Sequence, residues 1–354
     1  MPDLTSASDG RSRFSREYDV VTVRQFSRGL GRSVRAMERS AARAQRQRLM
    51  DEKAEARQAM LDASADAAAA HDDLMAFLVE GHRTRFKRRD WRTLAGTPPP
   101  EDPVHSDERE RRAAQVLAAY RPTWLAKTFR REARALQRLQ AEVDRARTAD
   151  AEAHLSASED AAQQRDQIAF AQAVIRGEAE AIIAAVRELA DLDQIAVDDV
   201  RIHVAKGRVV AFVDALELED MPSQQVTLLQ SGKASVKPIS SGKRLELHRD
   251  SICSAAVRVA VEFLDVLPVD AVEVVMAPDM LDPATGHIVA QPVLYLRATA
   301  QALATVNLSR AEPTPLAQGL GAHFDWTRRE GLRPIDLAPF DLPEDQPVVS
   351  FGAD

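Results

Sequence analysis

Seven arginines recur along a short stretch near the start of the sequence, at the spacing of one helix face. In the segment VRQFSRGLGRSVRAMERSAARAQR, residues 23–46, they are separated by steps of four, four, three, four, four and three residues. At 100° per residue they fall within an arc of about 100°, and the apolar side chains of the segment fall on the opposite side. Guanidinium groups bind phosphates and carboxylates through paired hydrogen bonds. The pattern predicts a binding surface, the arginine stripe, formed by Arg24, Arg28, Arg32, Arg35, Arg39, Arg43 and Arg46.

Several uses of the arginine stripe stay open at the level of sequence. A run of charge is commonly the solvated outer face of a bundle helix. Against that reading, Glu38 is the only acid between Arg24 and Arg46, although a solvated face usually mixes charges to gain i,i+4 ion pairs. The functional alternatives are an acidic protein surface, a nucleic acid backbone and anionic lipid headgroups. Of these we favour a protein partner, with nucleic acid possible and a membrane surface third.

A second basic cluster interleaves arginine with aromatic residues in RTRFKRRDWR, residues 83–92. Aromatic rings beside basic groups can stack on nucleic acid bases, whereas rings at the end of a helical hairpin more often close a small core. Both interpretations stay open. The residues concerned are Arg85, Phe86, Lys87, Arg88, Arg89 and Trp91.

The sequence assigns no catalytic residue, metal or cofactor. Two Ser-Gly-Lys tripeptides lack the upstream glycine and the following Ser or Thr of a phosphate-binding loop. Histidines at 203, 248, 287 and 323 have no metal-ligand spacing. The single cysteine, Cys253, excludes a disulfide framework and is typical of a reducing compartment.

One alternative implies an enzymatic reaction. The predicted order of helix, three strands, helix and strand resembles the core of restriction-endonuclease-like nucleases. That resemblance implies a Mg²⁺ ion held by an Asp on one strand and by an acid-x-Lys motif on the next. Asp214 and Lys237 occupy two of those positions, but Ser235 stands where the second acid is needed. The two residues are candidates under this alternative alone.

Long helices must carry the basic clusters. No proline occurs between residues 19 and 80, where alanine, arginine, glutamine and acids dominate. We predict a disordered start at residues 1–18 and a long helical bundle or coiled coil at residues 19–190. A proline-rich loop at residues 94–108 divides that bundle, and a break is expected near residues 156–158. The bundle is expected to be an elongated antiparallel hairpin.

The residue pattern of the sequence changes at Ile195, from helical to strand-like. Two β-branched runs flank Lys206-Gly207 and predict a hairpin, with a third strand from residues 226–240. A helix over residues 241–267 and two short buried strands follow. We predict a compact α/β module with a small mixed sheet at residues 195–336 and a flexible tail at residues 337–354. The fold class is therefore α+β.

Composition limits the class of protein. The chain has 354 residues, of which 5% are aromatic and 45% hydrophobic, with a net charge of −7. Residues 1–150 contain 30 Lys and Arg against 23 Asp and Glu, and the remainder contains 17 against 31. The start lacks a secretory signal and no run is long enough to span a membrane. We expect a cytoplasmic, bacterial protein whose basic and acidic halves either dock on each other or address different partners.

A resemblance supports the two-part organisation. The phrases LPVDAVEVVM, LDPATGH and PVLYLRA, with YRPTW upstream, resemble an uncharacterised group of bacterial proteins. The similarity covers residues 83–336. It implies a helical N-terminal region and a recurrent C-terminal α/β module, and it implies no activity, cofactor or site residue.

These observations predict a non-enzymatic scaffold or adaptor. The helical arm would mediate self-association or docking, and the α/β module would offer a second contact surface. The competing hypothesis is a nucleic-acid-binding component with a restriction-endonuclease-like C-terminal domain, either active or degenerate, for example in bacterial antiviral defence.

Overall fold

The chain folds as an α+β protein with a long N-terminal helical region and a C-terminal mixed sheet. The computed structural model describes residues 14–121, 132–205, 207–342 and 349–350. Helix α1 runs without interruption over Phe14–Glu80, as expected from a proline-free stretch of helix-forming residues. It includes residues 14–18, for which disorder was predicted, while residues 1–13 lie outside the described part.

The described chain divides into two compact units, and the division differs from the predicted one. The first unit combines residues up to Asp72 with Gln224–Lys237, and the second combines Asp73–Ser223 with residues from Pro238 onward. No boundary falls at residues 190–195. The helix before that point contributes Ile182 and Val186 to the same hydrophobic core as the sheet, so it cannot be separated from the sheet.

The first unit contains most of α1 and a small hairpin. Strands β3 (Gln224–Leu228) and β4 (Ala234–Pro238) pair with each other and with no other described strand. The predicted third strand of the main sheet is therefore wrong, because this region forms a separate two-stranded sheet. Gly232 turns the hairpin at φ 77°, and a Cβ there would lie 3.1 Å from Leu61 Cδ2, so glycine also allows the turn to approach α1.

The second unit begins with a helical layer. It contains α2 (Trp91–Ala95), α3 (Glu108–Ala119), α4 (Glu132–Arg176) and α5 (Ala179–Leu189). Helix α3 packs antiparallel to α4, where the buried Asp150 carboxylate accepts the Glu110 N–H at 2.9 Å and Arg147 pairs with Glu110. The break expected near residues 156–158 is absent: α4 is continuous there, and the Ser158 hydroxyl donates to the His154 carbonyl one turn earlier.

A seven-stranded sheet forms the centre of the second unit. In chain order its strands are β1 (Val197–Ala205), β2 (Arg208–Ala215), β5 (Ala271–Met276), β8 (Leu294–Thr299), β9 (His323–Thr327), β10 (Gly331–Arg333) and β11 (Val349–Ser350). They lie in the spatial order β10-β9-β8-β5-β2-β1-β11. The pair β2–β5 is parallel and the other pairs are antiparallel, which makes the sheet mixed, as predicted.

Helix α6 (Ser241–Val266) covers one face of this sheet and supplies more buried residues to the core than any other described element. Its apolar side chains at helical spacing, including Ile252, Val259 and Phe263, are almost fully inaccessible to solvent. The hydroxyl oxygen of Ser240 accepts the Lys243 N–H at 3.4 Å and caps the helix. A separate hairpin of β6 (Asp279–Leu281) and β7 (Ile288–Ala290) follows β5.

The C-terminal segment packs on the opposite face of the sheet instead of forming the flexible tail predicted from residue 337. After α7 (Ala300–Thr305) the chain adds α8 (Pro313–Gly319), β9 and β10. The Phe340 ring then stacks on Tyr295 with a centroid distance of 3.9 Å. The Arg208 guanidinium donates to the carbonyls of Phe340 and Asp341 while pairing with the buried Glu273. Residues 343–348 and 351–354 lie outside the described part.

Candidate functional site

The arginine stripe lies on α1 in the first unit. The backbone of all seven arginines is helical, as the spacing predicts. Arg43 and Arg46 are exposed. The side chains of the other five lie outside the described part: Arg24, Arg28, Arg32, Arg35 and Arg39.

The stretch of α1 around the end of the stripe is exposed on every side. Each residue from 40 to 60 is exposed, including Leu49 at 50% and Met50 at 64% of its surface. In the described part of the chain, no ion pair involves a charged side chain between Arg43 and Asp72. Isolated helices derive little stability from propensity alone, and within the described chain no packing covers this stretch.

An apolar stripe runs along the same helix beyond the arginines. Its members follow one another at steps of seven, four, three, four and three residues, the repeat of a coiled-coil seam. All are exposed, with Met60 at 44%. The residues of the apolar stripe are Leu49, Ala56, Met60, Ala63, Ala67 and Ala70. The half-buried Leu61 and the buried Ala68 lie on a neighbouring face of the helix.

Most of the second basic cluster has a structural role. The Arg88 guanidinium donates to the carbonyls of Leu267 and Val269, at 3.3 and 2.7 Å, where α6 ends. The Trp91 ring is 2% exposed, donates its N–H to the Val266 carbonyl and packs edge-on against Phe170 with centroids 5.7 Å apart. Its ring is therefore a core element and has no free face for a base.

Two other members, Arg85 and Phe86, line an open cleft of about 840 Å³ in the second unit. One wall is the segment Arg83–Phe86, and the other is residues 303–309, around the end of α7. Arg85 is exposed and bonds no described residue, whereas Arg83 pairs with Glu80 at 2.5 Å. Among the described residues, none that lines the cleft is acidic.

Residues far apart in the sequence position this cleft. His82 is fully buried, and its ring nitrogens contact the Ser254 hydroxyl at 3.1 Å and the Ala311 carbonyl at 2.9 Å. Burial lowers the pKa of His82, so the ring is held neutral. His82, Asn307 and Ser309 could not be recognised from the sequence, because the bonds that join the walls link residues 172 and 229 positions apart and leave no local signal.

The nuclease candidates lie on different sheets. Asp214 ends β2 opposite Asp199 in the main sheet, whereas Lys237 lies on β4 of the separate hairpin. Burial, followed by the charges of Asp279 and Asp198, raises the pKa of Asp214. Among the described residues no group of three or more His, Cys, Asp or Glu side chains could hold a metal ion. Strands β3 and β4, from which the third strand was expected, form that separate hairpin.

Comparison with protein-family models, with curated proteins and with solved structures found no match to this chain. Within the described part of the chain, every helix is either too short or too polar to cross a membrane.

Proposed function

We propose that this chain is a non-enzymatic assembly component that associates through helix α1. The observation that carries the proposal is the stretch at residues 40–60, which is continuous helix, exposed on all sides and free of ion pairs within the described chain. Folding such a stretch fixes its backbone without the burial that usually compensates the entropy. A partner that covers it would supply that burial.

The apolar stripe indicates what the partner is. A repeat of alternating three- and four-residue steps packs knobs into the holes of another helix. The simplest helix that offers a matching seam is α1 of a second copy, and the small alanines would let two helices approach closely. We therefore propose self-association along the apolar stripe as the first contact. The arginine stripe would then add contacts to acidic surfaces of that copy or of a protein partner.

Light scattering after size exclusion tests this proposal. We expect the native chain to elute at a multiple of its 39.0 kDa mass. The double variant Ala63→Glu/Ala67→Glu places two carboxylates in the apolar stripe and should shift the protein to the monomer mass.

The matched control is Ala65→Glu/Ala69→Glu, which makes the same change at the same spacing on exposed positions outside the stripe. It should leave the mass unchanged. A native chain that is monomeric at high micromolar concentration would remove the self-association proposal, and equal effects of the two double variants would show that charge and not the stripe is responsible.

The second candidate is a nucleic-acid-binding component, favoured by the exposed Arg43 and Arg46. Each phosphate contact would lower the logarithm of the binding constant by roughly 0.9 per tenfold rise in salt for duplex DNA. Replacing both arginines with Glu should then weaken binding of a duplex and reduce that salt slope by about two. A Mg²⁺-dependent cleavage lost in Asp214→Ala and in Lys237→Ala would support the nuclease version.

A further inference from the structure

We propose that the cleft between residues 83–86 and 303–309 binds a ligand that joins a phosphate group to a planar ring, the chemistry of a nucleotide. This inference concerns the second unit and does not depend on association through α1. The volume of about 840 Å³ lies in the range of small-molecule and cofactor sites.

The charge of the cleft selects an anion. Arg83 and Arg85 both line it, and the lining residues that the structure describes include no acidic side chain. Arg85 has no partner in the described chain, so its five N–H donors are available. Arg83 uses part of its donor set on Glu80 and stays 39% exposed, which leaves further N–H groups toward the cleft. Two guanidinium groups two residues apart suit the several oxygens of a phosphate.

The opposite wall adds neutral donors. The Ser309 hydroxyl donates to the Asn307 Oδ1 at 2.8 Å, which fixes the amide and leaves its NH₂ group for another acceptor. The backbone N–H groups of Leu308 and Ser309 donate to no oxygen of the described residues. Backbone N–H groups and neutral side-chain donors commonly bind phosphate oxygens.

An aromatic residue completes the site. Phe86 lines the cleft, is half-buried and packs against the main hydrophobic core. An aromatic face stacks on any base, and such stacking is tolerant of base identity. The combination of guanidinium, amide and ring therefore fits a phosphate and a base held together.

The walls are held in position before a ligand arrives. His82 directly precedes the first wall and bonds the Ala311 carbonyl, two residues beyond the second wall. It also bonds Ser254 on α6, through its ring and through its backbone N–H. A cleft with fixed walls loses little entropy when it binds.

Calorimetric titration of the full chain with AMP, pyrophosphate and adenosine tests the inference. We expect AMP to bind more tightly than either pyrophosphate or adenosine, because AMP alone joins a phosphate group to a base. Arg85→Gln should weaken AMP binding by at least tenfold, the loss of one charge-assisted contact. The control Arg92→Gln removes the same charge from a residue that does not line the cleft, and it should change the affinity by less than twofold.

Two further variants separate the parts of the site. Phe86→Leu should weaken AMP but leave pyrophosphate unchanged. Asn307→Asp keeps the acceptor for Ser309 and adds a carboxylate to the cleft, so it should weaken both ligands. An unchanged melting temperature in each variant would show that the fold is retained. The proposal is overturned if neither AMP nor pyrophosphate binds at millimolar concentration, or if Arg85→Gln and Arg92→Gln have equal effects.

A single-stranded oligonucleotide of about ten residues distinguishes a free nucleotide from a nucleic acid chain as the ligand of the cleft. Competition by AMP, with tighter binding of the oligonucleotide, would identify a nucleic acid chain as the ligand. Binding of AMP that the oligonucleotide does not displace would identify a free nucleotide. Oligonucleotide binding that neither AMP nor Arg85→Gln affects would place it elsewhere and count against the cleft.

Discussion

His82 and His248 are buried histidines whose ring nitrogens bond backbone carbonyls. The Nε2 atom of His82 lies 2.9 Å from the Ala311 oxygen, and that of His248 lies 3.0 Å from the Leu216 oxygen. Desolvation is the largest effect on both residues and lowers the pKa of each below its ordinary value of 6.5. Both side chains are therefore neutral in the folded state near neutral pH.

Acid should destabilise the protein through these two residues. Because the pKa of each is lower in the folded chain, the unfolded chain binds more protons below about pH 6.5. Their stabilising effect is complete above that pH and is lost as the pH falls. We expect the free energy of unfolding, measured with urea, to fall between pH 7.5 and 5.5 by at most about 1.4 kcal/mol per pH unit for each histidine.

The variant His248→Gln isolates one of the two contributions. Glutamine keeps an N–H donor for the Leu216 carbonyl and cannot titrate in this range. The difference in stability between the two pH values should become smaller than in the native chain. An identical pH dependence in both proteins would contradict the assignment to His248.

At the scale of elements, the segment Ile335–Leu342 closes the second face of the sheet. Ile335, Leu337, Phe340 and Leu342 pack against Val210, Val275 and Tyr295. The buried Glu273 carboxylate accepts hydrogen bonds from Arg208 and from the Tyr295 hydroxyl, the latter at 3.1 Å. Burial and the charge of Glu273 raise the pKa of Tyr295 to about 12, so its hydroxyl remains a donor under ordinary conditions.

Truncating Phe340 should loosen this segment without unfolding the sheet. Phe340→Ala removes the stacked ring on Tyr295 and should cost about 1–2 kcal/mol, since the ring is near the surface and not in the main core. Amide hydrogen exchange should increase in residues 335–342 and stay low in β5 and β8. Protection that falls equally across the whole sheet would show that the segment and the sheet unfold as one cooperative unit.

At the scale of the whole molecule, the folded core and the surface proposed for association involve different residues. Residues 40–60 of α1 contribute nothing to the described hydrophobic clusters, whereas the second unit contains an extensive core around α6. Stability and association should therefore respond to different changes. The double variant in the apolar stripe tests association, and removal of the exposed stretch tests stability.

A variant that lacks residues 1–59 should fold as well as the native chain. It retains Leu61, Ala68 and every buried residue of the described clusters. We expect its free energy of unfolding, measured with urea on monomeric protein, to lie within about 1 kcal/mol of the native value. A large loss of stability would indicate that the exposed helix packs on the chain itself.

The sequence by itself determined the elements whose signals are local. A proline-free run of helix formers specified α1, two β-branched runs around Lys206-Gly207 specified the β1–β2 hairpin, and a helical apolar period specified the buried face of α6. Each of these depends on residues within a few turns or strand pairs, so the pattern can be read without the rest of the chain. The spacing of the arginine stripe is likewise a local pattern that can be read from the sequence. The surface that the stripe contacts cannot be read in this way.

Tertiary structure alone decided which distant segments meet. It separated β3 and β4 from the main sheet, placed Trp91 in the core and folded residues 335–342 onto the strands. It also joined Arg85 and Phe86 to residues 303–309 in one cleft. These outcomes depend on competition among many possible long-range contacts, whose free energies come from burial and fit and not from any local period. A contact such as that between His82 and Ala311, 229 positions apart, cannot be recognised from the local spacing of either residue.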